Sequence, residues 1–458
     1  MLHRRVDGVR DRLLAVRAAV WGACSFGLVF PACGTGNVPE PSADPRDVEV
    51  AAVNSRAAGG LALGTGDGGS GVVVAAAAGT QAGDIDLFTG FADKATLERV
   101  QRLAPRPEAV GLFGAAIAFS GMSVAISATH EDPFGNAFGY VDVFEPVAAG
   151  AAGWVHRETV AAPCVSPASS TGSSELGFGR SIDLTGQDLV VGAGRYAGGF
   201  GRAFVFHRDG AGGRFQLTAD LQEPNDVRRF DAYFGDTVQI DGDTLIVTRP
   251  DTSASTGDGS KSGKVYVYRR VRSGEGTWAL EQVLHSPEAD GTWDGFGTAA
   301  ALAGDLVAVR GRDETWIFQR KGAPASSEAP LANSEGATNA KGDAWQPVWR
   351  TPVGRGERGS VALGRDFLVI GDPTTAVEED EAAGAVRVFE RVHPNDGGTP
   401  TFSAVRTWTE PYPGPNHGFG ARVTIRGGRL LVGVSMTAAS AAVMPGAYVR
   451  DLPQPGDA

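Results

Sequence analysis

Around residue 234 the chain falls into a short alternation of apolar and polar positions, broken at regular points by glycine. Phe234-Gly235 opens the unit. Val238 and Ile240 then alternate with polar neighbours, as in a strand with one buried face. Asp241-Gly242 follows, a pair that tolerates positive φ and marks a tight hairpin. Leu245-Ile246-Val247 is an uncharged run suited to a strand covered on both faces. After a longer loop, Val265 and Val267 alternate with tyrosines, and Trp278 opens a fourth alternating stretch. The pattern predicts four antiparallel strands in one unit.

The unit recurs. Phe178-Gly179 leads to Ile182 and Leu184, then Leu189–Ala193, Arg202–Phe206 and Phe215–Leu221. Phe113-Gly114, Phe296-Gly297 and Phe419-Gly420 open further copies. The spacings between successive Phe-Gly pairs are 65, 56, 62 and 123 residues, so the last interval holds a copy without its Phe. Arg358-Gly359, followed by Val361-Ala-Leu363 and Phe367–Pro373, fills that place. A degenerate copy beginning at Leu61 precedes Phe113. Recurring four-stranded units of about 60 residues predict an all-β fold, a seven-bladed β-propeller of four-stranded antiparallel blades. The last unit runs out after Tyr448-Val449, while Asp47–Val53 is strand-like and unassigned. The ring is therefore expected to close by an N-terminal strand that completes the last blade.

Phe-Gly, a hydrophobic strand, a turn, and then Leu189-Val-Val-Gly-Ala193 or Leu368-Val-Ile-Gly-Asp-Pro373 resembles the FG-GAP repeat. That repeat builds the propeller of integrin α-chain heads and of exported bacterial proteins. The resemblance implies a propeller and ligand or partner binding at a cell surface. Integrin blades often carry a calcium loop between the first and second strands. Here those positions hold Ser120-Gly121, Thr185-Gly186, Asp241-Gly242, Ala303-Gly304 and Gly427-Gly428, turns too short to present six or more oxygens. The longer loop Gly64–Gly71 contains one acid, Asp67. Calcium binding is not carried over, and no metal or cofactor is expected.

Composition adjusts this picture little. Glycine makes up 65 of 458 residues, about twice ordinary usage, in keeping with many tight turns. The net charge of −12 argues against nucleic acid, which needs clustered Lys and Arg. Residues 1–17 carry five arginines and precede the uncharged run Ala18–Ala32, the order of an export signal. Cys33 directly after a small residue resembles the lipid-modified cysteine of bacterial lipoproteins, although Phe30 and Pro31 depart from that pattern. Lipidation at Cys33, ordinary cleavage and an uncleaved anchor all remain open. The expected organisation is an export signal over 1–33, a tether over 34–46, the propeller over 47–450 and a tail over 451–458. Cys164 stands alone in the body, so no internal disulfide is expected there.

Candidate chemistry is sparse. Gly64-x-Gly66-x-x-Gly69 matches a dinucleotide fingerprint but is followed by Val72-Val-Val74, which is strand-like, so a hairpin is the better reading. Gly257–Lys264 brushes against a phosphate loop with the wrong glycine spacing. The seven histidines are scattered, and no serine elbow or zinc-protease motif occurs. Glu378–Glu381 is an acidic loop, with a weak cation site as its alternative. Trp154, Phe215, Trp278, Trp345 and Phe402 recur at the start of the fourth strand, where packing between blades is favoured over sugar binding. No catalytic residue is assigned. The expectation is an exported, monomeric, cell-surface binding or adhesion-type module, outer-membrane lipoprotein or secreted, and not an enzyme. It would present one propeller face to a protein or glycan through Arg195–Gly199, Asp251–Gly263 and Thr374–Gly384. A lyase or hydrolase acting at the central channel and a structural envelope component are the alternatives.

Overall fold

The computed structural model describes residues 48–49, 61–65, 71–76, 85–90 and 98–105. It also describes 112–453 apart from 121–122, 132–136, 148–152, 164–176, 211, 224–231, 251–262, 272–277, 289–293, 322–343, 355–358, 378–379, 393–398, 412–413, 415, 427 and 435–446. The export-signal and tether expectations, including Cys33, lie outside the described residues, as does Cys164. Among the described residues no helix is long and apolar enough to cross a membrane.

The protein is a β-propeller. A two-residue strand, β1 (Val48–Glu49), comes first. Blade I is β2 (Leu61–Thr65), β3 (Gly71–Ala76), β4 (Ile85–Gly90) and β5 (Glu98–Leu103). Blade II is β6 (Leu112–Ser120), β7 (Ser123–Glu131), β8 (Ala137–Pro146) and β9 (Trp154–Ala161). Blade III is β10 (Ser181–Thr185), β11 (Asp188–Ala193), β12 (Arg202–His207) and β13 (Gln216–Leu221). Blade IV is β14 (Val238–Asp241), β15 (Thr244–Arg249), β16 (Lys264–Arg270) and β17 (Trp278–His285). Blade V is β18 (Ala299–Ala303), β19 (Leu306–Arg310), β20 (Glu314–Arg320) and β21 (Trp345–Pro352). Blade VI is β22 (Ser360–Leu363), β23 (Phe367–Asp372), β24 (Ala385–Val392) and β25 (Thr401–Thr409). The last strands are β26 (Phe419–Arg426), β27 (Arg429–Val434) and β28 (Ala447–Asp451).

The expected seven four-stranded blades are corrected to six. Six sheets consist of four consecutive antiparallel strands, and each carries the same register shift between its third and fourth strands. That shift falls before the aromatic residue of the third strand, as at Val205/Phe206 and Val267/Tyr268. The remaining strands form a composite closing sheet in the order β1-β28-β27-β26. An N-terminal strand does join this sheet: Val48 and Glu49 pair with β28, opposite Val449 and Tyr448, and the rest of the strand expected over Asp47–Val53 lies outside the described residues. The repeat period overstated the number of blades because three strands suffice to continue it. The first strands lie side by side in sequence order, and β26 packs beside β2, so the ring is closed around a channel.

Each first strand has two obligations. Its aliphatic positions pack on the preceding blade, as Val238 and Ile240 do against Val190, Ala203 and Val205. Its alternate positions face the following blade and tie down that blade's exposed inner edge. The Ser181 hydroxyl accepts the Val238 amide at 3.0 Å, and the Asp183 carboxylate accepts the Ile240 amide at 2.8 Å. Gln239 and Asp241 accept the amides of Leu302 and Gly304, each at 2.7 Å. The polar alternation thus satisfies edge amides that no strand pairs.

The Phe-Gly unit sets the spacing between blades. Phe178, Phe234, Phe296 and Phe419 are fully buried. The glycine that follows each aromatic has φ between 84° and 92°, at Gly179, Gly235, Gly297 and Gly420. The aromatic carbonyl lies on the glycine that opens the previous blade's third strand. A β-carbon at Gly139, Gly201, Gly263 or Gly384 would stand within 2.2 Å of that oxygen. Where the Phe is missing, Gly359 is instead covered by the buried Arg310, which donates to Asp372 at 2.6 Å.

Gly235→Ala should therefore cost about 3 kcal/mol, because φ is +92° and the new methyl would lie 2.1 Å from the Arg202 carbonyl. Gly242→Ala, at φ +58° with open space around it, should cost about 1 kcal/mol. Urea unfolding of the two variants measures the difference, and equal losses would remove the role assigned to the Phe-Gly contact.

Candidate ligand-binding face and channel

The two ends of the ring differ in construction. One end carries the short turns between first and second strands and the connections from third to fourth. It is clamped by arginines near the ends of third strands. Arg208 donates to Glu145 at 2.6 Å and to Ser123 at 2.8 Å in the preceding blade. Arg270 donates to Asp188 at 2.6 Å while lying 4.5 Å over the Trp278 ring. Arg320 pairs with Glu281, and Arg391 lies 3.5 Å from Asp305. A shallow groove there is lined by Gln187, Asp188, Asp243 and Arg270, whose charges already satisfy one another.

Fourth-strand aromatics reinforce the same contacts. Gln101 bonds both backbone groups of Trp154, and Gln282 both those of Trp345. Glu158 accepts the Phe215 amide in the same way at 3.2 Å. Trp345, Phe215, Trp278 and Phe402 are buried in the cores between blades. These aromatics are packing elements, as the repeat frame indicated.

The other end carries the connections from second to third strands and the Phe-Gly units. Of the loops singled out from sequence, Arg195–Gly199 includes one helical turn, α1 (Tyr196–Gly199). Asp251–Gly263 lies outside the described residues except for Gly263. Thr374–Gly384 is anchored by reciprocal backbone bonds between Val377 and Asp380. Within the acidic stretch, Glu378 and Glu379 lie outside the described residues, and Glu381 is exposed. Among the described residues no group of three or more His, Cys, Asp or Glu could hold a metal ion. Gly64 sits in β2 antiparallel to β3, so a strand follows it rather than a helix. Of the stretch that brushes against a phosphate loop, residues 257–262 lie outside the described residues.

Buried charge concentrates at this end. Glu410, 2% exposed, accepts the Tyr448 hydroxyl at 2.9 Å and pairs with His417 at 2.7 Å. Glu223 takes the equivalent Tyr266 hydroxyl and lies 3.3 Å from Arg249. Burial, with the Glu223 charge adding to it, holds the Tyr266 phenol well above its ordinary range. Asp372 is shared by Arg310 and Arg387. Sequence reading missed these groups, because single Arg, Glu and Tyr residues at the ends of strands have no motif until the blades are stacked.

Several inner-strand positions carry polar groups. Asp183 holds the Ile240 and Leu184 amides. Burial raises its carboxyl to about 6, against the opposing effect of those bonds and of Arg426. Arg426 spans from the closing sheet to donate to the Phe119 carbonyl of blade II. Arg180 donates to Asp236 at 2.9 Å. Arg422 is exposed, yet the surrounding ring lowers its pKa, Arg180 lowers it further and Asp236 opposes this.

Because the folded-state Asp183 carboxyl titrates near 6, above its unfolded value near 4, the folded protein binds the extra proton between those pH values. Its contribution to stability is therefore largest below about pH 4 and falls as pH rises to about 6. Asp183→Asn should flatten the pH dependence of the urea midpoint over that window, and an unchanged profile would contradict the assignment.

No protein family matches the chain, and no curated protein matches it. Solved structures do. Sqt1 of Saccharomyces cerevisiae is 11% identical, with 89% of this chain and 100% of that chain covered at a TM-score of 0.43. A Lactobacillus plantarum protein is 14% identical, covering 78% and 85% at a TM-score of 0.44. Hsv2p of Kluyveromyces lactis is 10% identical, covering 76% and 99% at a TM-score of 0.41. Likenesses this distant assign neither a family nor a ligand, and the similarity to FG-GAP repeats stands as a resemblance of motif.

Proposed function

We propose that this protein is a non-catalytic binding module, exported and held at the bacterial cell surface, that engages a protein or glycan through the end of the ring carrying the second-to-third-strand loops. The carrying observation is the asymmetry between the ends. The turn end repeats two-residue hairpins and spends its arginines on ion pairs between blades. The loop end varies from blade to blade in length and content. Gly311–Asp313 is a three-residue link, whereas Pro373–Gly384 spans twelve residues. Loops on a rigid scaffold can change without disturbing the core, which suits recognition. The basic and apolar order of residues 1–33, ending in Cys33, supports export and a lipid anchor.

Arg195→Ala and Glu381→Ala, both exposed at the loop end, should weaken partner capture by surface-displayed protein while leaving the melting temperature within about 2 °C. Exposed substitutions at the turn end, such as Arg365→Ala, should leave capture unchanged. Capture that survives replacement of both loops by Gly-Ser linkers would refute this reading. Labelling cells with radioactive palmitate tests the anchor, with Cys33→Ser expected to abolish incorporation.

A further inference from the structure

Blade VI departs from the repeat at the place where four other sheets seat a pair of rings. Phe178 meets Phe204, Phe234 meets Tyr266, Phe296 meets Trp316 and Phe419 meets Tyr448, with ring centroids 5.1–5.7 Å apart. In each pair the first ring precedes the positive-φ glycine and the second lies on the third strand. In blade VI both rings are gone. Arg358 precedes Gly359 in the sequence, and Arg387 pairs with Ile370 as Phe204 pairs with Val191 and Tyr266 with Val247.

A closed circuit of polar groups stands at this interface between blades V and VI. Arg310, 1% exposed, donates from Nη2 to Asp372 at 2.6 Å. Its guanidinium lies against Gly359, where a β-carbon would come within 2.2 Å of three of its atoms. Arg387 donates to the other Asp372 oxygen at 3.1 Å and to the Pro352 carbonyl at 2.9 Å. The Thr351 hydroxyl reaches the same carbonyl at 3.4 Å. Thr351 stands opposite Thr315 in the β20–β21 register, and Thr315 opposite Arg310 in the β19–β20 register. Directly opposite residues share a face with β-carbons about 5 Å apart, so the circuit returns to Arg310. Its acceptors are engaged: both Asp372 oxygens and the Pro352 carbonyl. Three buried donors are not. Arg310 Nε, Arg310 Nη1 and the Thr315 hydroxyl have no hydrogen-bond partner among the described residues. Two guanidinium groups thus face one carboxylate. Burial holds the Arg310 guanidinium below its ordinary range, Asp372 opposing this and Arg387 adding to it.

We propose that this circuit binds a small monovalent anion of the halide class, chloride above all, between blades V and VI. What the circuit lacks is an acceptor carrying negative charge. A water molecule would accept from these donors but bring two hydrogens of its own, and the nearby acceptors are already taken. A halide accepts from several donors at once and brings none. Arg310 is 1% exposed and Thr315 fully buried, so a single atom fits where a group on a larger molecule does not. An anion that binds only the folded chain ties the two blades together where the ring pair is missing. The inference is independent of any macromolecular partner at the loops.

Thermal unfolding of the full chain in sodium chloride and in sodium gluconate, at equal ionic strength, tests the site. Chloride should raise the midpoint saturably, by about 2 °C at ten times its dissociation constant. Thr315→Val keeps the shape and removes one donor, so it should weaken chloride about tenfold. In gluconate the same variant should unfold at or above the native midpoint, because it loses only an unpartnered hydroxyl. A purely structural hydroxyl would shift both salts equally. Arg310→Lys keeps a charge beside Asp372, loses the spare donors and should abolish the chloride response. If it fails to fold, Thr315→Val decides alone. Arg350→Met, on the outer strand β21, should respond to chloride as the native chain does. In crystals grown from sodium bromide, anomalous scattering should place one bromide within about 3.5 Å of Arg310 Nε or Nη1. Equal midpoints in the two salts, or a native chloride response in Thr315→Val, would overturn the site. So would a bromide peak without a chloride response in solution, which marks an adventitious ion only.

Discussion

A blade of four strands cannot stand alone, because both of its faces are apolar and its inner edge exposes unpaired amides. Everything else in this molecule follows from meeting both needs with the next blade. The faces are met by aliphatic packing: Leu189 and Val191 on one side of β11 and Val190 on the other belong to different cores. The edge is met by side chains of the neighbouring first strand, which accept amides at Val238, Ile240, Leu302 and Gly304. An apolar residue at Asp183 or Gln239 would satisfy the first need and leave a buried donor orphaned, at a cost of about 1–3 kcal/mol. The alternation of the first strand is the joint solution to both demands.

Close approach follows from the same constraint. Blades must come near enough for one strand's side chain to reach the next strand's backbone. The Phe-Gly unit sets that distance by laying an aromatic carbonyl on a glycine of the previous blade. The short parallel bridges Gly201↔Phe234 and Gly384↔Phe419 are the backbone record of this contact. At the opposite end the third-strand arginines reach back to Glu145, Asp188, Glu281 and Asp305. The interfaces are thus fixed at both ends, and the apolar cores lie between two polar fastenings.

These relations explain what could be read from the chain. The strands were legible because burial on both faces forces runs such as Leu245-Ile-Val247 and Leu368-Val-Ile370, and hairpins demand glycine at positive φ. The fastenings were not. Phe206-x-Arg208, Tyr268-x-Arg270, Phe318-x-Arg320 and Phe389-x-Arg391 form a visible aromatic-x-Arg pattern, but its partners sit one blade away and share no fixed spacing. The blade number was overstated for a related reason. Local pattern records strands, whereas a complete blade is defined by its fourth strand and the register shift that strand requires. The closing sheet draws its fourth strand from the opposite end of the chain, where the described residues are Val48 and Glu49.

The composite sheet is also where the molecule's asymmetry becomes useful. Repeated blades that satisfy one another leave little chemistry over, since each polar group has a structural duty toward its neighbour. A departure from the repeat releases side chains from that duty. β26 carries Arg422 and Arg426 where its counterparts carry alanine, serine, threonine or aspartate, and Arg426 bonds to a blade that is not its neighbour. Selection for packing alone would place a small residue at position 422, as in the other first strands. The arginine at 426 instead ties the closing sheet to blade II through the Phe119 carbonyl, a fastening that skips the neighbouring blade.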